Sequence, residues 1–300
     1  MATNFKNLVF KGGGVLGIAY AGAIEVLEDN QILQQVQRVA GTSAGAITAA
    51  LVSLKYNAAQ ILQIVKTTNF KSFEDKFNPL RIATKYGLYE GETFLTWMQK
   101  CITDKGLPAT ATFLDFQKAG FLDLHVFSTD LNTQGLKEFS VATTPNVVVA
   151  EAVRASMSIP LFFEAWTFTN NNPDNHIYVD GGTIYNYPIT TFDSGDEPNM
   201  QTLGFYLTNL TGSSPVSTLQ YDQLFQYVKD LFDTMMSAQV IDFDEDPTEK
   251  QRTVIIDDFG ISATNFALTD AQEQQLYNSG KQYTTEYLAK LNPPPANPAV

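Results

Sequence analysis

The sequence is poor in cysteine and in positive charge. Cys101 is the single cysteine among 300 residues, so no internal disulfide can form and nothing indicates an oxidising compartment. Lysine and arginine number 19 against 32 aspartates and glutamates, which gives a formal net charge of −13. Nucleic-acid phosphates are neutralised by lysine and arginine, so this charge argues against nucleic acid as a partner. It also argues against electrostatic capture by anionic membranes.

Long apolar runs are absent as well. No run approaches 18 apolar residues, so no transmembrane helix is expected, and the first ten residues lack the apolar stretch of a signal peptide. We therefore expect a soluble, cytoplasmic protein. Secretion by a route that uses no cleaved signal peptide is the alternative. Transient contact with a membrane surface would rely on apolar side chains, and 21 Phe and 13 Tyr are available. Oligomeric state is not indicated.

Strand-like and helix-like patterns alternate along the chain. This order predicts an α/β fold with a mostly parallel central sheet covered on both faces. We predict one domain over residues 1–290 and a disordered, proline-rich tail over 291–300. Predicted strands cover 7–10, 36–40, 122–129, 177–179, 203–207 and 254–256. Predicted helices cover 16–27, 44–54, 58–65, 92–102 and 147–157, and a last helix starts at Thr269.

A candidate nucleophile lies between the second strand and the next helix. The stretch Gly41-Thr42-Ser43-Ala44-Gly45 has the spacing G-x-S-x-G in the strand–turn–helix context that gives this motif its meaning. In so sharp a turn, the residues two before and two after the serine crowd each other, and only glycine leaves room. The turn exposes the Ser43 hydroxyl at a helix N-terminus, where the helix dipole favours a developing alkoxide. Alternatively, Ser43 merely caps the helix.

A histidine in a Ser-His-Asp triad does not fit as the base that would activate this serine, unless His176 works without Asp180. The sequence has only His125 and His176, and no histidine follows residue 176. His176 and Asp180 are separated by four residues of strand, about 13 Å, so they cannot share one hydrogen-bonded triad. Asp180 ends a strand, where parallel sheets place their chemistry, and two glycines follow it. For Asp180 to act as a base near neutral pH, a dry pocket would have to raise its pKa. Alternatively, Asp180 is an ordinary turn residue.

A glycine-rich loop follows the first strand in FKGGGVLGIAY, residues 10–20. A P-loop would need Gly-Lys-Ser/Thr at its end, but Gly17 is followed by isoleucine and alanine. A dinucleotide site would need an acidic residue at the end of the second strand, which ends in glycine instead. The third interpretation is an oxyanion hole, in which the exposed backbone N–H groups of Gly12, Gly13 and Gly14 bind a developing anion.

The three motifs, taken in this order, resemble the patatin-like phospholipase family. Three stretches carry the resemblance: GGGVLG at 12–17, GTSAG at 41–45 and DGG at 180–182. Weaker similarities lie at 87–98, 127–140 and 153–163, and in Asn186 and Pro188 after the last motif. The resemblance covers nearly the whole chain.

The resemblance implies a three-layer α/β/α domain and a Ser–Asp dyad that works without histidine, metal or cofactor. Carried over, Ser43 is the nucleophile, Asp180 is the base, and the N–H groups of Gly12, Gly13 and Gly14 form the oxyanion hole. One departure is Leu16, where the family often has arginine or lysine. A basic residue that could help position an anionic substrate or loop is therefore absent at this position.

The expected function is hydrolysis of fatty-acyl esters of phospholipids or lysophospholipids through an acyl-enzyme. Two alternatives are a general carboxylesterase for small esters and a lipid-binding protein with little turnover on the same fold. Apolar side chains could favour long acyl chains or belong to the ordinary core. They are Phe70, Phe73, Phe77, Leu80, Leu161, Phe162 and Phe163.

Overall fold

The computed structural model describes residues 4–210, 212, 223–239, 243 and 245–291. Its strands are β1 Asn7–Phe10, β2 Arg38–Thr42, β3 Gly87–Tyr89, β4 Asp123–Asp130, β5 Gly135–Phe139, β6 Leu161–Phe163, β7 Tyr178–Asp180, β8 Thr202–Thr208 and β9 Thr253–Asp257. Its α-helices are α1 Ile18–Asp29, α2 Ala44–Ser53, α3 Ala58–Thr67, α4 Ile82–Lys85, α5 Glu92–Thr103, α6 Phe113–Lys118, α7 Val149–Ser156, α8 Leu224–Ala238, α9 Pro247–Gln251 and α10 Asp270–Leu291.

The central sheet has the strand order β5-β4-β2-β1-β8-β9, and the five strands from β4 to β9 in this order are parallel. Both faces are covered, because Leu8 and Phe10 of β1 pack with α1, α2 and α10, while Val9 packs against Tyr187 and Ile189 on the other face. This confirms the predicted α/β class and the mostly parallel sheet.

β7 completes the sheet where β2 ends. Along one edge of β4, β2 pairs up to Phe127, which lies opposite Thr42. β7 then takes over antiparallel from the next residue, with Ser128 opposite Asp180. The carboxyl ends of β2 and β7 therefore meet. The expectation that Asp180 ends a parallel strand is wrong, since β7 runs in the opposite direction, yet this direction brings Asp180 to the same edge.

Local signals located many element boundaries. β1 occupies the predicted residues, and capping boxes open α3, with Asn57 and Gln60, and α10, with Thr269 and Gln272. None of the described helices combines the length and the hydropathy needed to cross a bilayer. α10 ends at Leu291, and residues 292–300 of the predicted tail lie outside the described residues. The single domain over 1–290 stays a prediction.

The apolar residues considered for acyl binding have different environments. Phe73, Phe162 and Phe163 are buried and belong to the main core, which favours the structural interpretation for these three. Phe77 is 56% exposed and Leu80 is 80% exposed, both in the segment between α3 and α4.

Candidate active site

The turn after β2 places Ser43 in a conformation that few residues adopt. Its φ is 53° and its ψ is −124°. A Cβ on Gly41 would lie 2.1 Å from the carbonyl oxygen of Gly45, and one on Gly45 would lie 2.1 Å from that of Phe10. Both flanking glycines are therefore required by close backbone contacts, as the sequence predicts.

The side chain of Ser43 does not cap α2, although Ser43 occupies the N-cap position. Its hydroxyl donates a 2.6 Å hydrogen bond to Oδ2 of Asp180 instead. A serine kept only for capping would accept a hydrogen bond from the first turn of its helix. The structure therefore brings the predicted nucleophile and the predicted base into direct contact, 137 residues apart in the chain.

Hydrogen bonds hold both the backbone and the side chain of Asp180. Its backbone N–H donates to the carbonyl oxygen of Ser158 at 2.9 Å, and its carbonyl oxygen accepts from the Thr129 hydroxyl at 3.1 Å. The N–H of Gly182 donates to Oδ1 at 2.7 Å, so each carboxylate oxygen accepts one hydrogen bond. The carboxylate is oriented with Oδ2 toward Ser43.

The environment of the Ser43–Asp180 pair is dry. Asp180 is fully buried and Ser43 is 2% exposed. Burial raises the pKa of Asp180 from its ordinary value of 3.8 to about 7, and hydrogen bonds from Ser43 and Gly182 oppose the rise. A carboxylate with this pKa is a far better proton acceptor near neutral pH than an exposed aspartate.

Ser156 on α7 connects the turn to the sheet. The N–H of Ser43 donates to Oγ of Ser156 at 2.9 Å, and the Ser156 hydroxyl donates to the carbonyl oxygen of Phe127 at 2.5 Å. Sequence reasoning did not single out Ser156. A buried serine at the end of an apolar helix is only a weak signal, because its partners lie far away in the chain.

The glycine loop lies beside Ser43. A Cβ on Gly12 would lie 3.2 Å from Cβ of Ser43. The N–H of Gly12 already donates to the carbonyl oxygen of Asn186 at 2.9 Å, so this predicted oxyanion donor is hydrogen-bonded within the protein. Within the described part of the chain, no hydrogen bond occupies the N–H groups of Gly13 and Gly14. Two of the three predicted donors therefore remain available.

The two histidines lie outside this arrangement. His125 contacts Glu138 at 2.8 Å and Asp123 at 3.3 Å, and Nδ1 of His176 lies 2.8 Å from Asp130. The described residues include no cluster of three His, Cys, Asp or Glu side chains that could hold a metal ion.

Leu16, the departure from the family pattern, is a core residue. It is 5% exposed and lies in the short 3-10 helix Gly14–Gly17, packed within the main hydrophobic cluster. The charged residue nearest in sequence to the glycines is Lys11, whose ammonium group donates to the carbonyl oxygen of Leu207 at 2.8 Å. Burial lowers the pKa of Lys11 to about 8.

The chain is similar in sequence to one protein family and to several known proteins. A family model described as patatin-like phospholipase matches residues 8–193. The uncharacterized protein YqhO of Bacillus subtilis (strain 168) is 32% identical over 300 residues, 93% of this chain and 97% of that protein. The probable lipid hydrolase 463L of Invertebrate iridescent virus 6 is 26% identical over 188 residues, which cover 62% of each protein.

The fold is shared with solved structures. VipD from Legionella pneumophila superposes with a TM-score of 0.69 at 15% identity, over 96% of this chain and 67% of VipD. ExoU in the ExoU-SpcU complex of Pseudomonas aeruginosa gives a TM-score of 0.55 at 18% identity, over 96% of this chain and 52% of that chain. By the family match over residues 8–193, the chain belongs to the patatin-like phospholipase family.

Proposed function

We propose that this protein is a serine acyl hydrolase that cleaves fatty-acyl esters of phospholipids or lysophospholipids. The observation that carries the proposal is the 2.6 Å hydrogen bond from the Ser43 hydroxyl to a fully buried carboxylate of Asp180. A serine hydroxyl becomes a competent nucleophile when a positioned base accepts its proton. Here the base has a pKa of about 7, close to the pH at which it would work.

The proposed reaction has two steps. Asp180 accepts the Ser43 proton while Oγ attacks the ester carbonyl, and the resulting oxyanion accepts hydrogen bonds from the N–H groups of Gly13 and Gly14. The carbon–oxygen bond to the alcohol then breaks, and the alcohol leaves with the proton held by Asp180. Water repeats the sequence on the acyl-enzyme, releasing the fatty acid and restoring Ser43.

The substrate class rests on the family and on the names of relatives. The family model carries the description of a phospholipase, 463L is named a probable lipid hydrolase, and a Schizosaccharomyces pombe relative at 23% identity is named a triacylglycerol lipase. A general carboxylesterase activity would use the same Ser43–Asp180 pair with another acyl pocket.

Substitution of the nucleophile tests the proposal. Ser43→Ala should lower hydrolysis of the preferred ester by about 10³-fold or more, since the attacking atom is removed, and should abolish labelling by a fluorophosphonate probe. The assay compares phospholipids, lysophospholipids, triglycerides and short esters. Faster turnover of the long-chain lipids supports the proposed substrate class, while faster turnover of short esters supports the carboxylesterase.

A matched control lies in the same helix. Ser53 is buried at the end of α2 and donates to the carbonyl oxygen of Leu122 at 2.7 Å, away from Asp180. Ser53→Ala should lose some stability and keep its turnover. Unchanged hydrolysis in Ser43→Ala would refute the proposed mechanism.

A further inference from the structure

Asn186 is a buried residue whose side-chain amide makes no hydrogen bond in the described part of the chain. It is 1% exposed, and neither Oδ1 nor Nδ2 has a hydrogen-bond partner in the described part of the chain. Buried amides are almost always hydrogen-bonded, and leaving one group unpaired costs about 1–3 kcal/mol. A side chain kept at this cost needs an explanation outside the folded chain itself.

The backbone of Asn186 is firmly bonded, in contrast to its side chain. Its N–H donates to Oε1 of Gln239 at 2.8 Å, and its carbonyl oxygen accepts from the N–H of Gly12 at 2.9 Å. The position of the residue is therefore fixed by neighbours on two separate segments. The lack of hydrogen bonds at the side-chain amide therefore does not result from a loosely held loop.

The amide lies at the candidate active site. A Cβ added to Gly12 would lie 2.2 Å from Oδ1 of Asn186 and 3.2 Å from Cβ of Ser43. The side chains of Asn186 and Ser43 therefore both border the position that a Cβ of residue 12 would occupy, and glycine at residue 12 allows them to approach this closely. The next residues along this loop are Gly13 and Gly14, whose N–H groups are also without partners among the described residues.

We infer that the side-chain amide of Asn186 donates a hydrogen bond from Nδ2 to the ester oxygen that becomes negative when Ser43 attacks. This inference rests on the proposed hydrolase function. A buried, unpaired amide on a backbone that is hydrogen-bonded on both sides finds its partner in the transition state. Such a preorganised donor stabilises developing charge more strongly than a group that must first reorient. Neither amide atom has a partner, so no hydrogen bond in the described chain determines which of the two faces Gly12, and the donating orientation is the one with Nδ2 toward Gly12.

Replacement of Asn186 by leucine separates a functional role from a structural one. Leucine has the same branching and the same number of side-chain heavy atoms as asparagine, and Asn186→Leu removes an amide that bonds to no described residue, so the melting temperature should stay the same or rise. Turnover should fall about 10²- to 10³-fold with a much smaller change in KM, as expected for one lost oxyanion donor. Asn186→Ala should show the same fall, which excludes the bulk of leucine as the cause.

The matched control is Asn7, a second buried asparagine. It is the first residue of β1, whereas Asn186 contacts Gly12 after the last residue of β1. Its Nδ2 donates to the Thr202 hydroxyl at 3.1 Å, and its Oδ1 accepts from Nε of Arg38 at 2.8 Å. Asn7→Leu breaks both hydrogen bonds, so it should lower the melting temperature while the folded enzyme keeps its turnover. The same substitution thus has opposite consequences at the two positions.

The labelling rate with a fluorophosphonate reports the oxyanion donors directly. Ser43 attacks the phosphorus, fluoride leaves, and the phosphoryl oxygen occupies the position of the oxyanion. Absence of labelling in the wild type would count against the proposed function. Labelling of the wild type, with equal rates in Asn186→Leu and Asn186→Ala, would overturn the role of Asn186. A melting temperature lowered by Asn186→Leu as much as by Asn7→Leu would also overturn it, since the side chain would then be structural.

Discussion

At the scale of single residues, the ionisation of Asp180 decides in the proposed mechanism whether Ser43 can react. Only the ionised carboxylate can accept the Ser43 proton, and burial raises the pKa of Asp180 to about 7. An exposed aspartate would be ionised throughout the range in which enzymes are usually assayed. If Asp180 is the base, as proposed, its burial makes activity sensitive to pH near neutrality.

The pH profile of turnover is the first prediction at this scale. We expect kcat/KM to rise with pH through an apparent pKa of about 7, because protonated Asp180 cannot act as a base. Asp180→Asn should lower turnover by about 10²-fold or more and remove this titration from any remaining activity. Steady-state rates between pH 5 and pH 9 provide the measurement. A wild-type profile that is flat across this range would contradict the assignment of the base.

Stability supplies a control for the same ionisation. Because the pKa of Asp180 is higher in the folded protein than its ordinary value of 3.8, the folded state binds the proton more tightly than the unfolded chain. The contribution of Asp180 to stability is therefore present at low pH and declines as pH rises from about 4 to about 7. Asp180→Asn should thus gain melting temperature relative to wild type at pH 8 and show a smaller gain at pH 5. A gain independent of pH would contradict the burial argument.

Local motifs identify some residues of the site and not others. Ser43 and Asp180 each lie in a short pattern with glycines at required positions, so sequence alone could name them as candidates. The chemistry of Ser156 and Asn186 depends on hydrogen bonds, made or missing, with residues far away in the chain. No periodicity encodes such contacts. The engagement of the Gly12 N–H by Asn186 was unpredictable for the same reason.

At the scale of elements, α7 fixes the turn that carries the nucleophile. Ser156, the last residue of α7, joins the N–H of Ser43 to the carbonyl oxygen of Phe127 on β4. The turn after β2 has a rare conformation, and such a conformation persists only where neighbouring elements hold it. The position of Ser43 therefore depends on the packing of α7 against the sheet.

Removal of this hydroxyl is the prediction at the element scale. Ser156→Ala leaves the buried N–H of Ser43 without its acceptor, so it should cost about 1–3 kcal/mol of stability and reduce kcat more than it raises KM. Ser140→Ala is the control, since Ser140 is also fully buried and bonds to the Thr143 hydroxyl at 3.1 Å. It should affect stability alone. A kcat that remains at the wild-type value in Ser156→Ala would show that α7 does not position the nucleophile.

Elements with continuous apolar runs could be predicted, and the half-exposed edge strand β5 could not. β1 and α2 are buried along almost their whole length, so their residues stand out in the sequence. β5 is an antiparallel edge strand with mostly half-exposed residues, and the sequence pattern gave no strand there. The direction of β7 follows from its pairing with β4, which is a long-range property.

At the scale of the whole molecule, net charge and exposed apolar groups oppose each other at a lipid surface. The formal charge of −13 repels anionic headgroups over roughly 10 Å at 0.1 M salt. Phe77 and Leu80 present apolar surface that a bilayer interface could bury. Each large side chain buried in this way contributes about 1.5–3 kcal/mol. Contact with the membrane should therefore depend on these side chains rather than on charge.

Vesicle assays test this balance between charge and apolar contact. Hydrolysis of lipid in zwitterionic vesicles should change little with salt, while hydrolysis in anionic vesicles should be slower at low salt and rise as salt screens the repulsion. Phe77→Ser combined with Leu80→Ser should lower the rate on zwitterionic vesicles about 10-fold or more. The rate on a soluble short ester should remain unchanged. Leu136→Ser, which alters a 43% exposed leucine on β5, is the matched control and should match the wild type on both substrates. Equal loss in the double variant on vesicles and on the soluble ester would instead place Phe77 and Leu80 in the acyl pocket.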